Sequence, residues 1–352
     1  MEKVKIAVVG VGSMGRFHLE AHKINPNVEL YALCDINEAL LHERGKTYGV
    51  DRLYTNIDQM LEQLPEIEAV DVVTWNCAHA ECSIKSLRAG KHVFCEKPMA
   101  MNAKEAQLMY EAAKASNKKL MVGFVRRFGD DCIVAKNLIE QDIIGVPNYA
   151  KVSYLRRNGC PGGWFSDKKR SGGGPLIDIG IHVIDMAWYL MGMPRPLSVM
   201  ASAIYGTQKG ESSIGSYTPS DVSNHEATDV EDMVAGMIRF ENGAVMMADA
   251  SYTLHIDHDI NRIELYGNKG GLTIDPDVCL HTNLGGYMMN NTILAKSRYE
   301  DYALNNELAF FIEAIQMDKS LDILAQSGVT MMKILDAMYE SAQRGCEVVI
   351  DN

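Results

Sequence analysis

The strand-like run Lys5-Ile6-Ala7-Val8-Val9 leads without a break into Gly10-Val11-Gly12-Ser13-Met14-Gly15, and an amphipathic, helix-like stretch follows. A G-x-G-x-x-G hexapeptide alone can be an ordinary glycine turn; a strand before it and a helix after it give it meaning. The glycines permit a tight turn and the close approach of a pyrophosphate to the helix N-terminus, where unpaired N–H groups and the helix dipole favour an anion. A chain that begins this way is constrained to a doubly wound α/β domain with a dinucleotide site at its first turn.

Asp35 closes the second apolar run about twenty residues after the last glycine. Two readings stand for it. It accepts hydrogen bonds from the adenosine ribose hydroxyls, in which case a 2′-phosphate would meet a carboxylate and NAD is favoured over NADP, or it caps the helix beginning near Asn37. Around these motifs, β-branched runs at residues 4–9, 28–34, 69–74, 92–95 and 120–124 alternate with helix-like stretches at 15–24, 38–48, 79–89 and 103–115. That alternation predicts a parallel sheet covered by helices.

After about Arg127 the pattern changes to a helix-like stretch, a strand ending near Arg157 and a Gly-rich loop over residues 159–174. A long apolar helix is predicted over 176–191, then alternating strands at 233–240, 244–252 and 262–266, with Glu241-Asn242-Gly243 as a hairpin turn. Strands without intervening helices imply a large open, mostly antiparallel sheet, and two closing helices fall near 307–317 and 329–343. At 352 residues the chain suits two domains of about 100–200 residues each. We expect a Rossmann domain over residues 1–125 and an α/β domain over 126–352 for substrate binding and oligomerisation, with the last helices packing back on the first.

A net charge of −12 without basic clusters argues against a nucleic-acid partner. The N-terminus enters a strand directly, with no signal-like or long apolar segment, so a cytoplasmic protein with no membrane partner is expected. The eight cysteines lie mostly in apolar runs, as buried free thiols do. Cys77, His79, Cys82, His92 and Cys95 straddle a predicted helix without two C-x-x-C halves, and no metal is expected.

Thr74-Trp75-Asn76, with His79 just beyond, and Glu96-Lys97-Pro98 close two strands of the first sheet, at the carboxyl edge where a dinucleotide lies. In the second half, Asp178, His182 and Asp185 stand at i, i+4 and i+7 on an otherwise apolar helix. Burying such groups costs several kcal/mol, about 2–7 for a neutral polar group and more for a charge, unless they pair or face solvent. A satisfied core His–Asp pair and a catalytic stripe both remain open on this spacing.

Taken together, GVGSMG, TWNCAH, EKP, GFVRRF, GGGPLIDIGIH, VEDMVAGMIRFENGAV, IELYGNKGGL and LDAMYESAQRG span nearly the whole chain. In that order they resemble the Gfo/Idh/MocA oxidoreductases, the glucose-fructose oxidoreductase and inositol dehydrogenase group. The resemblance implies a Rossmann domain followed by an α/β domain with a large open sheet. It places the family's catalytic lysine on Lys97 and its aspartate and histidine on Asp178 and His182. Cofactor contacts fall on Gly10, Gly12, Ser13, Met14, Gly15, Asp35, Thr74, Trp75, Asn76, His79, Glu96 and Lys97. Substrate contacts fall on Arg127, Arg157, Trp164, Asp178 and His182. Trp75 departs from the pattern, since the family usually has proline there.

The implied function is hydride transfer between a nicotinamide cofactor and a hydroxyl or ketone of a sugar, glycoside or cyclitol. His182 would be the general base, since an imidazole titrates near pH ~6.5. Lys97 would stabilise the alkoxide, and Asp178 would orient a neighbouring hydroxyl or the lysine. An NAD-using glycoside hydrolase and a non-catalytic NAD sensor share the architecture, although the intact Lys97, Asp178 and His182 set is contrary to the sensor. A homodimer or homotetramer is expected.

Overall fold

A computed structural model gives the structure of the chain and describes residues 2–157, 159–206, 228–275, 277–293 and 301–351. The described residues divide into two compact units, the first built from Met1–Gly123 and Leu304–Met332.

The first unit alternates strand and helix from its start: β1 (Val4–Val9), α1 (Ser13–Ile24), β2 (Val28–Cys34), α2 (Glu38–Tyr48), β3 (Leu53–Tyr54), α3 (Ile57–Gln63), β4 (Ala69–Val72), α4 (Asn76–Arg88), β5 (His92–Glu96), α5 (Ala103–Ser116) and β6 (Leu120–Gly123). The six strands are parallel in the order β3-β2-β1-β4-β5-β6, so the chain changes direction of travel between β1 and β4. In open sheets of this kind ligands bind outside the carboxyl ends of the strands at that switch. Both faces are covered, and Val8, Val11, Leu19, Leu33, Leu41, Val50 and Val73 form one buried cluster between α1, α2 and the sheet.

Local signals account for the boundaries. Asn37 caps α2 by accepting the Leu40 N–H, and Gly49 ends it in the left-handed region at φ 74°. The sequence reading missed β3 and α3. The strand is two residues long, and α3 buries only Met60, so neither carries a periodic apolar signal; what starts α3 is Asn56, whose side chain accepts from Asp58 and Gln59 N–H. The strand expected over 69–74 stops at Val72, and α4 starts at Asn76 rather than 79 because Trp75 is already its extended N-cap residue.

In the second unit a short 3₁₀ turn (Val125–Phe128) precedes α6 (Asp130–Glu140), β7 (Pro147–Leu155) and α7 (Lys168–Ser171). Next come a π-helical turn (Leu176–Gly180), α8 (Ile181–Leu190) and β8 (Pro196–Ile204). The sheet continues with β9 (Met233–Phe240), β10 (Val245–Ser251), β11 (Ile260–Gly267), β12 (Gly270–Asp275), β13 (Asp277–Leu284) and β14 (Tyr287–Ile293). α9 (Asp301–Gln316), α10 (Asp322–Arg344) and β15 (Val348–Val349) close the chain. The nine strands run in the order β14-β13-β12-β11-β7-β10-β9-β8-β15. All neighbours are antiparallel except β7 and β10, so the expected mostly antiparallel sheet is present.

The predicted hairpin joins β9 to β10, with Gly243 at φ 82° and its N–H donating to Phe240 O. One face of the sheet is covered by α8, which packs on β7 and β11. On the other face Tyr149, Met200, Met247 and Tyr266 are exposed, and Tyr149 stacks on Tyr266 with ring centroids 5.6 Å apart. Among the described residues no helix is long and apolar enough to cross a membrane.

Candidate active site

Two of the motif's glycines are required by space. Gly10 has φ 93°, and a Cβ there would lie 2.4 Å from Val73 O; a Cβ at Gly15 would lie 2.2 Å from Gly10 O. Gly12 is the N-cap of α1 and offers no side chain to its first turn, leaving that helix end for an anion. Asp35 has a second occupation that spacing did not suggest. Its Oδ2 accepts the Val11 N–H at 2.8 Å and its Oδ1 the Asn37 N–H at 2.8 Å, so it braces the glycine turn against the end of β2. Each carboxylate oxygen keeps acceptor capacity for a ribose hydroxyl. Helix capping itself falls to Asn37.

At the end of β4, Thr74 and Trp75 are half-buried, with the Thr74 hydroxyl donating to Trp75 O at 3.2 Å. Asn76, His79 and Glu96, expected among the cofactor contacts, are buried. His79 is 1% exposed, and its Nδ1 lies 2.7 Å from Pro98 O and its Nε2 3.1 Å from Thr74 O. Burial pushes this imidazole down toward its neutral form, which donates to one carbonyl only; we assign the proton to the shorter contact. His79 therefore ties the loop after β4 to the loop carrying Lys97. The Glu96 carboxylate accepts the Lys97 N–H at 2.9 Å through Oε2, while Oε1 lies 3.1 Å from His18 Nε2. Gly123, paired with Glu96 across β5 and β6, leaves the space this carboxylate fills: a Cβ there would lie 3.2 Å from Oε1.

In the second unit, Asp178 lies in the π-helical turn and His182 in the first turn of α8. Over residues 176–190 only Asp178, His182 and Tyr189 escape burial. Asp178 Oδ2 accepts the Tyr252 hydroxyl at 2.8 Å. Tyr252 is fully buried, and burial followed by the Asp178 charge holds its hydroxyl well above the usual range, so it remains a donor. The turn itself is anchored by buried Glu231, which accepts the N–H groups of Gly174 at 2.9 Å and Leu176 at 3.3 Å and the Tyr339 hydroxyl at 2.9 Å. Gly180 lets the turn lie against β10, since a Cβ there would be 2.9 Å from that of Ala250.

Asp185 does not join this pair. It is buried and bound bidentately by Arg127, Nε to Oδ2 at 2.9 Å and Nη2 to Oδ1 at 2.6 Å, with the guanidinium over the Phe124 and Tyr189 rings. Arg127, expected on the substrate, is thus a buried structural cation. The expected three-residue stripe assumed an α-helix throughout, whereas Ile181 N–H reaches back to Leu176 O across the π turn and shifts the face on which Asp178 stands.

Arg157 is exposed; its N–H donates to Asp259 Oδ1 at 2.7 Å and its guanidinium to Asp257 O at 3.0 Å. Its neighbour Arg156 points inward, over the rings of Tyr154 and Tyr252. Burial opposes the Arg156 charge, but Asp178 and Tyr154 more than restore it. Trp164 is half-buried and stacks on Phe165 at 4.0 Å, above a cluster of Cys160, Ile179, Ala250 and Tyr252. Asn158, inside the same loop segment, lies outside the described residues. Tyr252 and Glu231 were missed because each lies just outside a strand, where no periodic signal marks it as the partner of a residue on another element.

Comparison with known proteins follows the same division. A family model described as an oxidoreductase family with an NAD-binding Rossmann fold matches residues 4–124, and the Gfo/Idh/MocA C-terminal domain matches residues 133–273. D-glucoside 3-dehydrogenase of Escherichia coli is 31% identical over 98% of this chain and 97% of its own length. Myo-inositol 2-dehydrogenase of Thermotoga maritima is 30% identical over 92% of each chain. A levoglucosan dehydrogenase solved in complex with NADH matches with a TM-score of 0.87 at 26% identity, covering 100% of both chains. The chain belongs to the Gfo/Idh/MocA family of oxidoreductases, with an NAD-binding Rossmann fold in its first third.

Proposed function

We propose that the protein is an NAD-dependent dehydrogenase acting on a CH–OH group of a sugar, glycoside or cyclitol. The observation that carries this reading is that an aspartate and a histidine, Asp178 and His182, stay accessible on a helical segment where Tyr189 is the one other residue not buried, with Tyr252 holding the aspartate. The names of the relatives, which act on a glucoside, an inositol and levoglucosan, support the substrate class. The helix start at Gly12 and the crowded Gly10 and Gly15 suit a dinucleotide pyrophosphate, and the remaining acceptor sites of Asp35 suit NAD rather than NADP.

NAD supplies the hydride acceptor. His182 removes the proton from the reacting hydroxyl, Lys97 donates a hydrogen bond to the oxygen as negative charge gathers on it, and Asp178 orients a neighbouring hydroxyl. Trp164 offers an apolar ring to a sugar face, and Arg156, which lies over the Tyr252 ring and feels the Asp178 charge, is a better candidate for the substrate than Arg127, which is paired with Asp185.

The dinucleotide domain is assigned to residues 1–125 and the substrate and self-association domain to 126–352. The exposed Tyr149, Met200, Met247 and Tyr266 suit a homodimer or homotetramer formed through the open sheet face. The acidic net charge of −12 without basic clusters supports a small-molecule rather than a nucleic-acid partner. The test is a panel of inositols, hexoses and glycosides incubated with NAD. Net NADH formation with a free polyol or glycoside supports the dehydrogenase; glycoside cleavage without net NADH would mark an NAD-using hydrolase, and tight NAD binding without turnover a sensor.

A further inference from the structure

The first unit buries a chain of four titratable side chains that hydride transfer does not itself use. Asp71 stands in β4, in register with Phe94 of β5, and is 0% exposed, as is His18 of α1; His22, one turn on, is 1% exposed. His18 Nδ1 lies 2.9 Å from Asp71 Oδ2, His22 Nε2 lies 2.7 Å from the same oxygen, and His18 Nε2 lies 3.1 Å from Glu96 Oε1. The other oxygen of Glu96 takes the Lys97 N–H. A chain of contacts thus runs from α1, the helix that opens on the dinucleotide turn, to the main chain of Lys97.

Both ring nitrogens of His18 face carboxylate oxygens. A neutral imidazole would point a lone pair at one of them unless that carboxyl were protonated, so with both carboxylates ionised this geometry calls for the doubly protonated cation. Burial alone would push His18 down, but the charges and hydrogen bonds of Asp71 and Glu96 outweigh it and lift its pKa to about 10. Asp71 shows the matching balance: burial raises it, His18 and His22 win, and it falls to about 2. The other groups of the layer are the Phe94 ring, edge-on to His18 at 5.8 Å, the thiol of Cys95, pushed up by burial, and His79 on the far side of the Lys97 loop. Glu307, on α9, is the third carboxylate buried in this unit among the described residues. A buried ionic cluster is weak evidence for stability, since apolar side chains of similar volume would pack the same space at no greater cost. Its distinctive consequence is directional: it fixes where the Lys97 backbone lies relative to α1.

We propose that His18 is a positioning residue for Lys97, a permanent cation that holds Glu96 in place so that Glu96 in turn holds the Lys97 main chain. The role rests on the reading of Lys97 as the group that stabilises the reacting oxygen. Displacing a reacting group by about an ångström can cost ~10²-fold in rate. His18→Gln puts a neutral amide in place of the cation, leaving Glu96 and Asp71 buried without the charge between them; burial then raises their carboxyl pKa values.

The experiment compares wild type, His18→Gln, the double variant His18→Gln/Glu96→Gln and Lys97→Ala. Each is assayed for folded fraction, NAD binding and turnover against pH with a substrate of the wild type. In His18→Gln the folded fraction should bind NAD within about threefold of wild type while turnover falls about 10–100-fold. That turnover should gain a pH-dependent step which the double variant loses. Folded His18→Gln with turnover within twofold of wild type and an unchanged pH profile overturns the proposal; unimpaired Lys97→Ala overturns the reading of Lys97, and with it this role. Should His18→Gln not fold, imidazole nitrogen NMR of the wild type at about pH 8 decides: both ring nitrogens should be protonated, and a neutral His18 overturns the proposal. The backbone amide resonance of Lys97 gives a readout independent of any substrate, and should shift on Glu96→Gln.

Discussion

Asp35 shows how one carboxylate serves geometry and specificity together. It accepts the Val11 and Asn37 N–H groups and so shapes the turn into which the pyrophosphate would fit, while in the proposed site its remaining lone pairs and charge would act on the ribose. Asp35→Ser should therefore weaken NAD binding and raise the ratio of kcat/KM for NADP over NAD, because ribose acceptors and phosphate repulsion go together. An unchanged ratio would count against the assignment. At this scale the sequence was legible where a residue acts on its own chain neighbours: the glycines, Lys97 after its strand, and Asp178 and His182 as ionisable groups in an apolar run. It was not legible where one side chain answers another far along the chain. Arg127 was read as a substrate contact, yet its partner is Asp185; Arg156, one position before the expected Arg157, is the guanidinium that turns inward.

At the scale of elements, the π-helical turn Leu176–Gly180 decides which ionisable groups stay accessible. Within an α-helix the spacing of Asp178 and Asp185 would place both on one face; the extra residue in the turn leaves Asp178 to Tyr252 and gives Asp185 to Arg127. No local pattern announces such a turn, because Glu231 from a distant segment anchors its start. Arg127→Met would strand a buried Asp185 carboxylate, and should cost about 3–5 kcal/mol of stability with little effect on the NAD affinity of folded protein. Denaturant unfolding checks this, and a loss below about 1 kcal/mol would return Arg127 to the surface or to the substrate. The parallel first sheet, the mostly antiparallel second sheet and its hairpin followed from alternation and turn chemistry, whereas β3 and α3 were too short to register.

Across the whole molecule, the buried His18–Asp71 pair should be visible in the pH dependence of stability. His18 is raised from 6.5 to about 10, so its contribution is complete below pH 6.5 and lost as pH rises through 10. Asp71 is lowered from 3.8 to about 2, so its contribution is complete above pH 3.8 and lost as pH falls through 2. The Tm difference between wild type and His18→Gln should thus be widest between those limits and narrow toward both extremes; a difference that widens toward pH 10 would be the wrong sign. Self-association through the open sheet predicts that Met247→Glu, at the centre of that face, shifts sedimentation from oligomer toward monomer at micromolar concentration without loss of NAD binding. A wild type that is monomeric there would sink the dimer.

The central claim is that Lys97 and His182 carry oxidation of a polyol hydroxyl by NAD. NADH formation, measured on wild type, His182→Ala and Lys97→Ala preparations of known folded fraction and NAD occupancy, tests it most directly. Wild type should reduce NAD with at least one sugar, glycoside or cyclitol, and each variant should bind NAD nearly as well while turning over about 10²–10⁴-fold more slowly. Folded variants that form NADH at close to the wild-type rate, or a wild type that cleaves a glycoside with no net NADH, would contradict the account.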